Sequence, residues 1–139
     1  MKSKSDLFDR IIIMKISAVG VSSRDMQKSV EFYSLLGFDF SGVDLTEAHV
    51  EPVTPEGSTR LMIDSNQMIK DIFGEEPVQG NHSTFAIEYS TVEELNNVAD
   101  KLTRAGYVFK KEPWDAFWGQ RYAIIADPGG CLVDLYARL

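Results

Sequence analysis

Two amphipathic stretches, each led in by an alternating apolar segment and each stopped by a glycine, constrain this chain more than any other feature. In the first, Met14 to Val21 alternates roughly apolar and small residues as a half-buried strand does, and Ser22-Ser23-Arg24-Asp25 offers capping side chains. Met26, Val30, Tyr33 and Leu36 then recur at three- and four-residue steps, and Gly37 supplies a left-handed stop. In the second, Ser83 to Tyr89 reads as a strand and Thr91-Val92-Glu93-Glu94 as a capping box. Val92, Leu95, Val98, Ala99, Leu102 and Ala105 form the buried stripe of the next helix, and Gly106 ends it.

The segments after the two helices are also alike. After the first, strands are expected over Phe38–Val43, Ala48–Val53 and Ser58–Asp64, with Pro55-Glu56-Gly57 as a turn. After the second, they are expected over Tyr107–Lys111, Gln120–Ala126 and Cys131–Ala137, the last two joined by Asp127-Pro128-Gly129-Gly130. Between the halves, Ser65–Phe73 carries Met68, Ile69, Ile72 and Phe73 at helical spacing, and the polar stretch Gly74–Asn81 reads as a connection. The chain thus reads as an α+β protein built from two βαβββ modules, module 1 at about 14–64 and module 2 at 82–139, with 65–81 linking them inside one domain, 14–139. Low identity between the halves still fits an internal duplication. Residues 1–13, polar and then isoleucine-rich, read as an N-terminal extension.

At 139 residues with 44% hydrophobic side chains, the chain can bury one core. Fourteen basic against 21 acidic residues give a net charge of −7, which repels a phosphate backbone and argues against nucleic acid as a partner. The same acidity suits a cationic small molecule, although solubility is its commoner reason. Apolar runs such as Ile11 to Met14 are far below the roughly 20 residues of a membrane helix and below a signal-peptide core, so a soluble, cytoplasmic protein is expected. The single cysteine, Cys131, excludes an internal disulfide and a paired-cysteine zinc site, and reads as a small strand residue.

Two segments are specific enough to carry a resemblance: Ser29-Val-Glu-Phe-Tyr-Ser-Leu-Leu-Gly-Phe, and Trp118-Gly-Gln-Arg with, further along, Asp127-Pro-Gly-Gly-Cys-Leu-Val-Asp-Leu. At this spacing the chain resembles the glyoxalase/bleomycin-resistance/dioxygenase superfamily, the vicinal oxygen chelate fold, over about Met14 to Leu139. The resemblance implies half-open curved mixed sheets, a cleft between βαβββ units, and a homodimer. In metal-dependent relatives, histidine or glutamate occupies inward positions on the first and last strand of each unit. Here the matching positions are Ala18, Leu61, Thr84 and Asp134, of which only Asp134 is a carboxylate. No cofactor is therefore expected; if a divalent metal were held, His82, on the same strand face as Thr84, and Asp134 would be the ligands.

The expectation is a metal-independent protein that binds or sequesters a small molecule in the cleft, as antibiotic-resistance relatives do. A metal-dependent lyase, isomerase or dioxygenase, and a cofactor-free enzyme with a cleft carboxylate as base, stay open as alternatives, so catalytic residues stay unassigned. The candidate ligand contacts are Trp114, Phe117, Trp118, Arg121 and Asp134, because stacked indoles and a charged neighbour suit a flat ligand. Trp118 fits ligand contact and a loop-shaping role equally, and Arg121 fits an ion pair better than a ligand. Phe38, Phe40 and Tyr136 read as core, Asp127 as a turn residue, and His49 as structural with no obvious acidic partner.

Overall fold

The structure is a computed structural model that describes residues 15–78 and 84–139. The expected N-terminal extension, most of the end of the linker, and His82 lie outside the described residues. Element order is β1 (Ala18–Ser23), α1 (Met26–Leu36), β2 (His49–Val50), β3 (Arg60–Ser65), α2 (Asn66–Phe73), β4 (Thr84–Glu88), α3 (Val92–Arg104), β5 (Phe109–Ala116), β6 (Gln120–Ala126) and β7 (Leu132–Arg138). None of these helices is long and apolar enough to cross a membrane.

The helix boundaries obey the capping chemistry. Asp25 accepts a hydrogen bond from the Lys28 amide, Ser65 from that of Met68, and Thr91 from that of Glu94, so each helix starts one residue after its cap. Glu94 reaches back in turn, accepting from the amide of Ser90, the residue before the cap. Gly37 takes φ 114°, a conformation that L side chains rarely adopt, and its amide reaches back to Ser34 and Tyr33 carbonyls.

The strands form two mixed sheets, ordered β1-β3-β2 and β4-β7-β6-β5, in which β1 runs parallel to β3 and β4 parallel to β7. The repeat is visible in this order: β1 matches β4, α1 matches α3, β3 matches β7 and β2 matches β6. Module 1 departs from the expected pattern, however. The strand anticipated over Phe38–Val43 is reduced to one bridge, Asp39 to Val53, and the one over Ala48–Val53 to His49–Val50. The reason is local: the Asp39 carboxylate accepts from the Ser41 amide and hydroxyl, the Asp44 carboxylate does the same with Thr46, and these turns pull the backbone away from a ladder. Pro52 adds a residue with no donor. In module 2 the difference runs the other way, since β5 extends to Ala116 and carries Trp114 on the sheet.

Both sheets and helices α1 and α3 share one core, with Phe32, Tyr33, Leu36, Ile63, Leu95, Leu102, Ile125 and Leu135 all fully buried. Tyr33 stacks on Phe85 of module 2 with centroids 6.4 Å apart, and its hydroxyl donates to Asp127 Oδ2 at 2.7 Å. Asp127 Oδ1 in turn accepts from the amides of Gly129 (2.9 Å) and Cys131 (2.8 Å), which makes it the turn residue expected and also a bolt between modules. Burial raises the carboxyl of Asp127, against the pull of these donors, and burial, then the neighbouring Asp127, drives the Tyr33 hydroxyl well above its usual range. Tyr33→Phe strands a buried carboxylate oxygen, so chemical denaturation should show a loss of about 1–3 kcal/mol.

Candidate functional site

Strict alternation along β6 and β7 separates two faces. Ala123, Ile125, Val133, Leu135 and Ala137 are sealed beneath the helices, whereas Tyr122, Ile124, Leu132, Asp134 and Tyr136 stand on the open side, partly exposed. Antiparallel register places Tyr122 opposite Tyr136 and Ile124 opposite Asp134, and β5 brings Trp114 opposite Tyr122. On the far side, β4 places Ala86 beside Asp134 and Glu88 beside Tyr136.

The result is an aromatic surface around one carboxylate. Tyr122 and Tyr136 stack with centroids 5.9 Å apart; Trp114 and Trp118 meet Tyr122 edge-on at 5.7 and 5.4 Å and each other at 5.9 Å. Trp118 sits in the β5–β6 turn, its indole N–H donating to Gln120 Oε1 at 3.0 Å, and remains 48% exposed. Tyr122 Oη donates to Asp134 Oδ2 at 2.5 Å, while Asp134 Oδ1 is enclosed and has no partner among the described residues. Burial, and then the hydrogen bond to Asp134, push the Tyr122 hydroxyl up to about 12. Lys111 Nζ lies 4.8 Å from the centre of the Trp114 ring, at the sheet margin.

Of the residues picked out in the sequence, Trp114, Trp118 and Asp134 therefore come together. Phe117 does not join their ring cluster on the sheet; it meets only Trp118, at 5.0 Å, and is 96% exposed at the turn tip. Arg121, adjacent to Tyr122 and so on the opposite face, is held by Asn96 Oδ1 at 2.8 Å and Asp115 Oδ1 at 2.9 Å, the ion pair that its position suggested. Tyr136 corrects the sequence reading. It stands on the open face instead of in the core, and two-residue spacing from Asp134 was the signal. Phe38 and Phe40 pack against the core as expected.

Leu61 is a second correction. It is buried and pairs with Val19 on the helix-facing side, whereas Met62 pairs with Gly20 as Asp134 pairs with Ala86. Gly20 and Ala86 both lie five residues before their helix caps, so Met62 is the counterpart of Asp134. The set Ala18, Met62, Thr84 and Asp134 offers a single carboxylate, already engaged by Tyr122, and among the described residues no three His, Cys, Asp or Glu converge as metal ligands. These residues do not fit the divalent ion of the fold's metal-dependent branch.

His49, a third correction, has two acidic partners. It faces Asp64 across the β2–β3 pair, with Nδ1 2.5 Å from Asp64 Oδ1, and its Nε2 lies 2.9 Å from Glu51 Oε2. Glu51 also accepts from Arg60 at 3.1 Å. The hydrogen bond to Glu51, then that to Asp64, raises the His49 pKa. A cavity of about 920 Å³ lies elsewhere again, between the edge strands β1 and β4, lined in part by Val19, Leu61, Phe85 and Ile87. None of the five sequence-selected contacts lines it; of its charged groups, Arg60 and Glu88 are already paired, with Glu51 and Arg138, while Asn97 and Lys101 also stand on its wall.

A family model described as the Glyoxalase/Bleomycin resistance protein/Dioxygenase superfamily matches residues 15–135. The chain belongs to that superfamily. Solved members and relatives of this superfamily fold share the architecture. A glyoxalase/bleomycin resistance protein/dioxygenase from Nocardioides is 23% identical, with 99% of this chain and 94% of that one covered and a TM-score of 0.66. A glyoxalase-related enzyme from Fulvimarina pelagi is 14% identical over 91% and 89% of the two chains, with a TM-score of 0.76. The hypothetical protein SA1046 from S. aureus is 21% identical over 94% and 98%, with a TM-score of 0.72. At these identities the likeness is one of fold. No curated protein matches the chain.

The His49 cluster yields a pH prediction for this superfamily member. Because the folded-state pKa is raised, its contribution is complete below the unfolded value of 6.5 and is lost as pH rises through the folded pKa. With His49 39% exposed, solvent screens the effect. The denaturation midpoint should fall modestly above pH 6.5, and His49→Gln should flatten that dependence.

Proposed function

We propose that this superfamily member binds a small molecule on the open face of its second sheet without a metal ion. The observation that carries the reading is the ring cluster of Trp114, Trp118, Tyr122 and Tyr136 set around the Asp134 carboxylate. Each ring offers an apolar face for stacking, worth on the order of 1 kcal/mol per contact, and the carboxylate fixes orientation. Sequestration of a toxic compound is the role this arrangement supports best. It needs only a face that holds its ligand; the fold alone supplies no chemistry.

A second reading has its own support. Asp134 is a carboxylate on the open face whose Oδ2 is held by a single tyrosine hydroxyl, so it could serve a cofactor-free reaction as general base. The readings part on the fate of the ligand. Expression in a sensitive host should raise tolerance to some toxic compound that is recovered chemically unchanged; recovery of a product, lost with Asp134→Asn, would establish the enzymatic reading instead.

Elemental analysis of purified protein equilibrated with Ni, Co, Mn, Zn, Fe and Mg should find far less than one ion per chain. A ratio near one that falls on mutating His82 or Asp134 would overturn the metal-free reading. Trp114→Ala should weaken ligand binding about tenfold, the equivalent of one lost stacking contact, in a fluorescence titration.

A further inference from the structure

We infer that the cavity between β1 and β4 is a second ligand site, separate from the ring cluster, for an amphipathic carboxylate: an organic acid with an aliphatic or aryl-alkyl body. Much of its lining is apolar, built from Val19, Phe38, Leu61, Phe85, Ile87 and Val98, and its volume of about 920 Å³ is that of a small-molecule cleft. The apolar character continues onto the most exposed part of the lining, where Ile16 and Val53 are 78% and 65% exposed. Apolar side chains around an open space forgo contacts, and a matching ligand body restores them while removing their surface from water. One side of the space is held fixed. The Tyr89 hydroxyl donates to the Leu36 carbonyl at 2.6 Å and so ties the chain just past β4 to the end of α1.

Charge selects the ligand within that space. Four charged residues stand on the wall, and three are engaged: Arg60 with Glu51, Glu88 with Arg138, and Glu94 with the Ser90 amide. Lys101 is the fourth, and its ammonium has no acidic partner among the described residues. It belongs to one stripe of α3 with Glu94, Asn97 and Val98, at the steps of three, four and seven residues that share a helix face. Asn97, one turn before Lys101, adds amide N–H groups, so a carboxylate can take a donor from each while its body lies along Val98. Glu94 stands two turns from Lys101, about 10 Å along the axis, where water and salt weaken its repulsion of a bound anion. A dianion such as a phosphate monoester would need a second unpaired cation, which this wall does not offer among the described residues. An organic amine would meet Lys101, and an alcohol would gain no charge-assisted bond.

Octanoate, octylamine and octanol share one body and differ in the head group. We would titrate each into the full-length protein and follow the methyl resonances of Leu61, Ile87 and Val98 by NMR. Octanoate should shift them and bind about tenfold more tightly than either of the others. Lys101→Met keeps the stem at an exposed helix position and removes the charge, and should bring the three within about threefold. The indole signals of the two tryptophans, both in the ring cluster of the open face, should not move. Octanol or octylamine binding as tightly as octanoate, or octanoate unaffected by Lys101→Met, would overturn the carboxylate assignment. Indole signals moving in place of the methyls would overturn the cavity as the seat and put the acid on the open face. No response to any of the three compounds would overturn the site. Methyl shifts that track protein concentration with no compound added would overturn it too, naming a second copy of the chain as the occupant.

Discussion

The hydrogen-bond set around Asp127 fixes the placement of the whole C-terminal strand and, through it, of the open face. One carboxylate oxygen ties the amides of Gly129 and Cys131 into the tight turn before β7, and the other accepts the Tyr33 hydroxyl from α1. The turn sets the β6–β7 register, and the register decides that Tyr122 faces Tyr136 and that Ile124 faces Asp134. A slip of one residue would bury Asp134 under the helices and turn Val133 or Leu135 outward. A buried carboxylate thus determines where the open-face carboxylate of Asp134 stands, through backbone geometry and with no hydrogen bond between them.

The two modules have used the same plan differently. Module 2 keeps four strands and an aromatic open face. Module 1 keeps three, one of them only two residues long, and its open face carries ions, with His49 held between Asp64 and Glu51 and Glu51 shared with Arg60. The Asp39 and Asp44 side-chain turns explain the lost strand. With so little ladder holding β2, the His49 ring between two carboxylates supplies cross-strand attachment that backbone pairing does not.

Much of this was legible because its determinants are local. Asp25, Ser65 and Thr91 announce their helices, Gly37 and Gly106 their ends, and the Asp-Pro-Gly-Gly run its turn; the strands with clean alternation, β6 and β7, were placed within one residue. The features that failed to show were set at a distance or by a single residue of register. Asp64 lies fifteen positions from His49 and becomes its partner only through the β2–β3 pairing. Leu61 and Met62 differ by one step and so by a whole face. In the Phe38–Val43 stretch, aromatic residues gave a strand-like pattern, but short-range side-chain bonds from Asp39 won over it. The aromatic cluster was visible as composition around Trp114 and Trp118. Its completion by Tyr136 needed the pleat of β7, because a tyrosine in an apolar strand reads as core until the facing is known.

The shared core makes each repeat depend on the other. Tyr33 of one repeat finds its stacking partner and its acceptor in the other, and Gly129 leaves no room for a side chain because the Ser22 carbonyl would lie 2.9 Å from its Cβ. Each repeat is therefore half of an interior. Module 1 alone would leave Tyr33 without its stacking partner and acceptor, and module 2 alone would leave Phe85 uncovered, so holding both repeats in one chain turns an encounter between molecules into a covalent certainty.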